Sequence, residues 1–169
     1  MGLSEGRHGQ AFARVVLPHL DAAHALARWL LRDPALAEDT VQDALLRGLT
    51  YFASFRGDNP RAWLLRIVRT VAYDRLAARP GGFVPLDDAL PDGAAGPEEA
   101  AIAAQRAATL EAALAALPPE LREVIVLREL EEMSYGEIAR IANLPIGTVM
   151  SRLWRARRAL RCFGEGLPP

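Results

Sequence analysis

Residues 117–160 read LPPELREVIVLRELEEMSYGEIARIANLPIGTVMSRLWRARRAL, and their spacing decides the fold class. Pro118-Pro119-Glu120 opens a helix, because proline is preset for the first turn and an acid there meets the positive end of the helix dipole. Leu121, Val124, Ile125, Leu127 and Leu130 recur along it at helical spacing. Ser134 stands three residues before Glu137, a capping-box spacing, and predicts a short helix carrying Ile138, Ala139, Ile141 and Ala142. Asn143 tolerates the left-handed conformation that a tight turn needs, and Pro145 prevents the helix from continuing. A last helix is predicted from about Gly147-Thr148 to about Cys162. Two short helices joined by a turn of three or four residues form a helix-turn-helix.

The last helix has two distinct faces. Val149, Leu153, Ala156 and Leu160 mark a buried side, while Thr148, Ser151, Arg152, Arg155 and Arg158 lie around the other, with Trp154 at its edge. Cations and hydroxyls near the start of such a helix are what entry into a DNA major groove requires: arginine bidentate to guanine, with further contacts to phosphates. A merely solvated arginine face is the competing reading, and the helix-turn-helix pattern ahead of it weighs against that.

Working outward, the stretch from Arg79 to Pro97 carries four prolines and four glycines with few large apolar residues, which predicts a linker. The N-terminal block before it reads as three or four helices. Phe12, Val16, Leu20, Ala23, Leu26 and Leu30 keep helical spacing from Gln10 to Arg32. Asp33-Pro34 and Asn59-Pro60 each pair a capping side chain with a first-turn proline. The helix after Asp33 has Val41, Ala44, Leu45, Leu49 and Phe52 on its apolar face, and a turn, Phe55-Arg56-Gly57-Asp58, follows it.

The helix after Asn59 carries Leu64, Ile67, Val68 and Val71 in one stripe, with Arg66, Arg69, Thr70 and Tyr73 within about 100° of one another on the opposite side. Cations, a hydroxyl and a ring beside an aromatic turn (Tyr51, Phe52, Phe55) are the materials of single-strand binding, each stacked base contributing about 1–3 kcal/mol. Phe52 and Trp63 read instead as core plugs of a small bundle. Arg75 lies nearer the apolar stripe and reads as packing along its stem.

The chain has 169 residues, enough for one ordinary domain or two small ones, and its 51% hydrophobic and 24% charged residues suit a soluble globular protein. No apolar run approaches the ~18 residues of a membrane span, the N-terminus lacks a secretory signal pattern, and Cys162 is the one cysteine, so no internal disulfide or membrane insertion is expected and the default compartment is the cytoplasm. The net charge of −1 hides a strong segregation. All twenty basic residues are arginine; residues 51–79 carry +4 and 136–163 carry +5, whereas 80–105 carry −5 and 106–135 carry −3. Two basic segments separated by acidic chain suit two contacts on a polyanion.

An enzyme is a poor fit. His19 and His24 are five residues apart, about 140° around a helix, which is not metal-ligand spacing. No phosphate-cradling glycine loop or nucleophile motif is present, so neither metal nor cofactor is expected.

Together these residues resemble a bacterial extracytoplasmic-function (ECF) sigma factor, over about residues 11–79 and 107–161. Leu117 to Leu160 is similar to sigma domain 4, and AEDTVQDALLRGL followed by FRGDNPRAWLLRIVRTVAYDRL is similar to sigma domain 2. The resemblance implies an all-α chain of two small helical domains on a flexible linker: a domain 2 bundle over 8–79, an acidic linker over 80–105 and a helix-turn-helix domain 4 over 106–163. It implies that Asp39, Gln42, Asp43 and Leu46 bind core RNA polymerase at the β′ coiled coil, with the β subunit a further contact. Asp39, Asp43 and Leu46 face away from the apolar stripe of their helix. It further implies that the promoter −10 element is melted and read by Phe55, Arg56, Asp58, Arg66, Arg69, Thr70 and Tyr73, capturing a flipped base. The −35 element would be read by Thr148, Ser151, Arg152, Trp154, Arg155 and Arg158. Thr70 stands where the family often has asparagine and Met150 where a basic residue is common, which implies altered base preferences. The linker would thread the RNA exit channel, an anti-sigma protein is an expected partner, and the free chain is expected to be a monomer. A stand-alone helix-turn-helix regulator would explain the C-terminal block but leaves the Asp39–Asp43 helix and the FRGD turn without a purpose.

Overall fold

The computed structural model describes residues 2–79 and 97–164, and every regular element among them is helical. Four helices build the N-terminal half: α1 (Gly2–Val16), α2 (Leu20–Leu31), α3 (Pro34–Tyr51) and α4 (Pro60–Ala78). The spacing of residues 10–32 suggests an uninterrupted run, but a 3-10 turn at Leu17–His19 divides it. Pro18 is the physical reason: it has no backbone donor and its ring crowds the preceding turn. The caps after it follow the sequence reading, with Asp33 accepting from the Leu36 amide at 3.0 Å and Asn59 from the Ala62 amide at 2.9 Å.

Helices α2, α3 and α4 pack on one another around Leu26, Leu30, Val41, Ala44, Leu64, Val68 and Val71. Phe12 of α1 closes one end, meeting Phe52 edge to face at 5.4 Å. Gly48 permits that closure, since a Cβ on it would stand 3.3 Å from the Phe12 ring and 3.5 Å from Trp63. Phe52 and Trp63 are half-buried against this core, as their reading as plugs requires.

The C-terminal half comprises α5 (Pro97–Ala116), α6 (Pro119–Ile125), α7 (Tyr135–Ala142) and α8 (Ile146–Gly164). Residues 97–105, expected to be linker, are the start of α5; the alanine-rich run that follows Pro97 has high helix propensity and extends the helix. Residues 80–96 of the expected linker lie outside the described residues. Helix α6 widens into a π-helical turn at Val126–Leu130. The wider turn shifts the register: Val126 is buried and Leu130, placed inside by simple helical spacing, is about half exposed. The Ser134–Glu137 capping box and the left-handed Asn143 (φ 53°) form as read.

The two halves do not stand apart. A single buried apolar cluster runs from Phe12 and Leu30 through Leu64 and Val68 to Val124, Ile138 and Leu153. α4 packs on α7, and α2 packs on α6. Bundles of this size leave apolar surface uncovered when alone, and joining them removes it from water.

Candidate nucleic-acid interface

On α8, Val149, Leu153 and Ala156 are buried, and Leu160 is half-buried. Ser151, Trp154, Arg155 and Arg158 project into solvent, and Thr148 and Arg152 are half-buried beside them. The Arg158 guanidinium lies over the Trp154 ring, 5.3 Å from its centroid, so a 57% exposed indole is held in place by a cation–π contact. Met150 is also exposed on this side. The face is thus a cationic, partly apolar strip on a helix whose start is fixed by the capped α7 and the Asn143 turn.

The α4 side is arranged differently. Arg66 and Thr70 are exposed, the latter donating to the Arg66 carbonyl at 2.9 Å. Arg69 and Tyr73, which the sequence places on the same solvent face, are half-buried against the C-terminal half. The Arg69 guanidinium sits 4.4 Å from the Tyr73 centroid and donates to Glu123, while the Tyr73 hydroxyl donates to the same carboxylate at 3.1 Å. Arg69 and Tyr73 are therefore both engaged by Glu123 in this arrangement, which the spacing along α4 alone does not show. In the preceding turn Arg56 and Asp58 are exposed, while Phe55 tilts onto Trp63 at 5.1 Å and stacks on Phe52 at 6.1 Å.

Glu123 is fully buried, and burial pushes its carboxyl above the usual glutamate range while Arg69, the Tyr73 hydroxyl and Arg152 pull it back. Burial, and then Glu123, raise the Tyr73 phenol. The adjacent Arg122 is 1% exposed, and burial lowers its guanidinium to about 10, still charged at neutral pH. Two more contacts join the halves: Arg61 with Glu131, and Asn59 donating to Glu137 at 2.6 Å. Sequence reasoning missed these residues. The available signal was a charged pair, Arg122-Glu123, inside the otherwise apolar stretch from Leu121 to Leu127.

On α3, Asp39 and Gln42 are exposed and Leu46 is 65% exposed, a large apolar side chain left in water. Asp43 and Arg75 are both half-buried and form an ion pair. Among the described residues no group of three or more His, Cys, Asp or Glu could hold a metal, and no helix is long and apolar enough to cross a membrane.

Comparison with known proteins agrees with this division. Residues 15–80 match the family Sigma-70 region 2, and residues 107–160 match Sigma-70, region 4. The RNA polymerase sigma-H factor of Pseudomonas aeruginosa is 34% identical over 164 residues, spanning 89% of this chain and 84% of that protein. The ECF RNA polymerase sigma factor SigW of Bacillus subtilis is 32% identical over 164 residues, spanning 89% and 87%. Among solved structures, the sigma factor RpoE in complex with the anti-sigma factor NepR from Bartonella quintana superposes with a TM-score of 0.75 at 28% identity, over 94% of this chain and 99% of that one. CnrH, solved in complex with the cytosolic domain of CnrY, gives 0.69 at 27% identity over 95% and 91%. With a helix-turn-helix ahead of an exposed arginine face and a capped bundle preceding it, the chain belongs to the ECF family of RNA polymerase sigma factors, which direct transcription initiation at promoters without catalysing it.

Proposed function

We propose that the two halves divide promoter recognition between them. α8 enters the major groove of the −35 element, with Arg155 and Arg158 addressing guanine edges and phosphates and Thr148, Ser151, Arg152 and Trp154 completing the contact. The Phe55-Arg56-Gly57-Asp58 turn and the Arg66, Arg69, Thr70 and Tyr73 face of α4 take the melted −10 strand. Unstacking a base costs a few kcal/mol, which pocket and stacking contacts return. Asp39, Gln42, Asp43 and Leu46 dock on the β′ coiled coil; an exposed leucine among acids suits a protein partner better than a nucleic acid. An apolar groove of about 320 Å³ lined by Leu110, Leu114, Ile125, Val126, Leu130 and Leu160 offers a seat for the β subunit.

The observation that carries this reading is the exposed Ser151, Trp154, Arg155 and Arg158 strip, backed by buried Val149, Leu153 and Ala156, on the second helix of a helix-turn-helix whose first helix is capped. The sigma factor solved with the anti-sigma factor NepR supports an anti-sigma partner for this chain. Run-off transcription tests the reading. Core RNA polymerase supplemented with this chain should give discrete transcripts from fragments of its source genome that core alone does not give. Duplex binding with no promoter-dependent transcript would overturn the proposed division of promoter recognition between the two halves.

A further inference from the structure

Three large apolar side chains stand exposed along α8 at four-residue spacing: Ile146 at 51%, Met150 at 53% and Trp154 at 57%. Four-residue spacing sets them in one row, which rises about 12 Å along the helix and borders the Ser151, Arg155 and Arg158 strip. Trp154 is held by Arg158 and already belongs to that strip. Ile146 and Met150 have no part in it, yet they open the first and second turns of α8, the turns of a groove-entering helix that come nearest to base edges. The position of these turns is fixed, since the Thr148 and Val149 amides donate to the Pro145 carbonyl at 3.0 and 3.1 Å. Gly147 beside them is open, with nothing within 4 Å of where a Cβ would stand, so the backbone there can approach a partner closely.

We infer that Ile146 and Met150 select thymine in the −35 element by covering its C5-methyl group. The inference rests on the reading of α8 as the −35 helix and adds a base preference to it. Charge chooses a nucleic acid over a protein as the occupant of this row: α8 carries Arg152, Arg155, Arg157, Arg158 and Arg161 and neither Asp nor Glu. Chemistry then chooses the base. In the major groove the base edges present donors and acceptors, and the thymine methyl is the apolar group among them. An apolar side chain set against any other edge covers a donor or acceptor without pairing it, which costs affinity, whereas a methyl adds buried apolar area. The unbranched, flexible thioether of Met150 adapts to a methyl on either strand.

The test uses the full chain with core RNA polymerase on promoter fragments recovered by run-off transcription. Each thymine of the −35 element is replaced in turn by deoxyuridine, which removes the methyl and keeps every hydrogen-bonding group, and competition binding reads the affinity. The expected result is a position at which uracil weakens wild-type binding about threefold to fivefold, the value of one buried methyl. That loss should vanish in Met150→Ala or Ile146→Ala, persist in Met150→Leu, and persist in Arg155→Ala even as overall binding falls. Both side chains are more than half exposed, so the alanine variants empty no core. A uracil loss identical in wild type and both alanine variants would overturn the inference, as would a −35 element in which no thymine methyl matters. In either case a weakened Arg155→Ala keeps the −35 reading of α8, and an unweakened one removes that reading too. Lost transcription in Met150→Ala with unchanged DNA affinity would place a protein on the row and overturn the inference likewise.

Discussion

Arg122 of α6 donates from Nη1 to the main-chain carbonyl of Trp29 at 2.9 Å, joining residues 93 apart in sequence across the boundary between the halves. The same guanidinium donates from Nε to the Leu114 carbonyl at 2.9 Å, and from Nη2 to those of Ala115 at 2.9 Å and Leu117 at 2.7 Å. Trp29 lies in the last turn of α2, and Leu114 and Ala115 in the last turn of α5, where carbonyls lack partners within the helix and the dipole favours a cation. One buried arginine thus ties two helix ends together, and with them the two halves.

Replacing Arg122 with methionine keeps apolar bulk but removes the side-chain donor from the Trp29, Ala115 and Leu117 carbonyls, while Leu114 keeps the Leu117 amide at 3.2 Å. The expected loss is about 2–4 kcal/mol of unfolding free energy, read as a lower urea midpoint. A loss of less than about 0.5 kcal/mol, the range of an ordinary surface substitution, would mean that the carbonyls find other partners.

The contrast between this contact and the helix caps shows what was legible in the sequence. Asp33, Asn59, Ser134 and Asn143 act on residues within a few positions, so their chemistry is written locally and the helix boundaries follow. The outward faces of α3 and α8 are also local, because helical periodicity alone separates Leu46 from Val41 and Arg155 from Leu153. Arg69 and Tyr73 lie on the polar side that periodicity assigns to them, but their cover is not legible because their partner, Glu123, lies 50 or more positions away, and periodicity says which side of a helix is polar, not what covers it. Leu130 was misplaced for a different reason, since a π turn changes the period on which the reading depends.

Acid should loosen the start of α7. The Ser134 hydroxyl and backbone amide, with smaller help from Asn59, hold the Glu137 carboxyl below its ordinary value of 4.5. A carboxylate depressed in the folded state contributes stability that is present above 4.5 and lost as the pH falls through the lower native value. Glu137→Gln keeps the capping geometry without the titration, so its melting temperature should fall less than wild type between about pH 5 and pH 3. Glu123 works with the opposite sign: its raised value makes its contribution decline as the pH climbs above 4.5. Equal acid sensitivity of wild type and Glu137→Gln would show that the capping carboxylate is not the titrating group.

At α8, Arg155→Ala should weaken binding to duplex carrying the −35 element by about 1–3 kcal/mol and relax preference at one base position. Electrophoretic mobility shifts on cognate and single-substituted duplexes read both effects. A uniform loss across sequences would place Arg155 on a phosphate instead.

At α3, Leu46→Glu should reduce association with core RNA polymerase while leaving duplex binding and melting temperature unchanged, because Leu46 is 65% exposed and its removal empties no core. Asp43→Ala should weaken polymerase binding too, with a small stability cost from losing the Arg75 pair. Loss of DNA binding in Leu46→Glu, with polymerase association intact, would exchange the two assigned surfaces.

The most direct measurement is a distance between the halves in the free and engaged states. Cys162 is exposed near the end of α8 and Arg14 is exposed on α1, so Arg14→Cys supplies a spin-label pair for pulsed electron resonance with one label on each half. A single short distance in the free chain, replaced by a longer one when core polymerase and promoter DNA are bound, is the predicted result. An unchanged short distance in a complex that still initiates transcription would contradict the reading that Arg69 and Tyr73, covered by Glu123 in this structure, take the −10 strand.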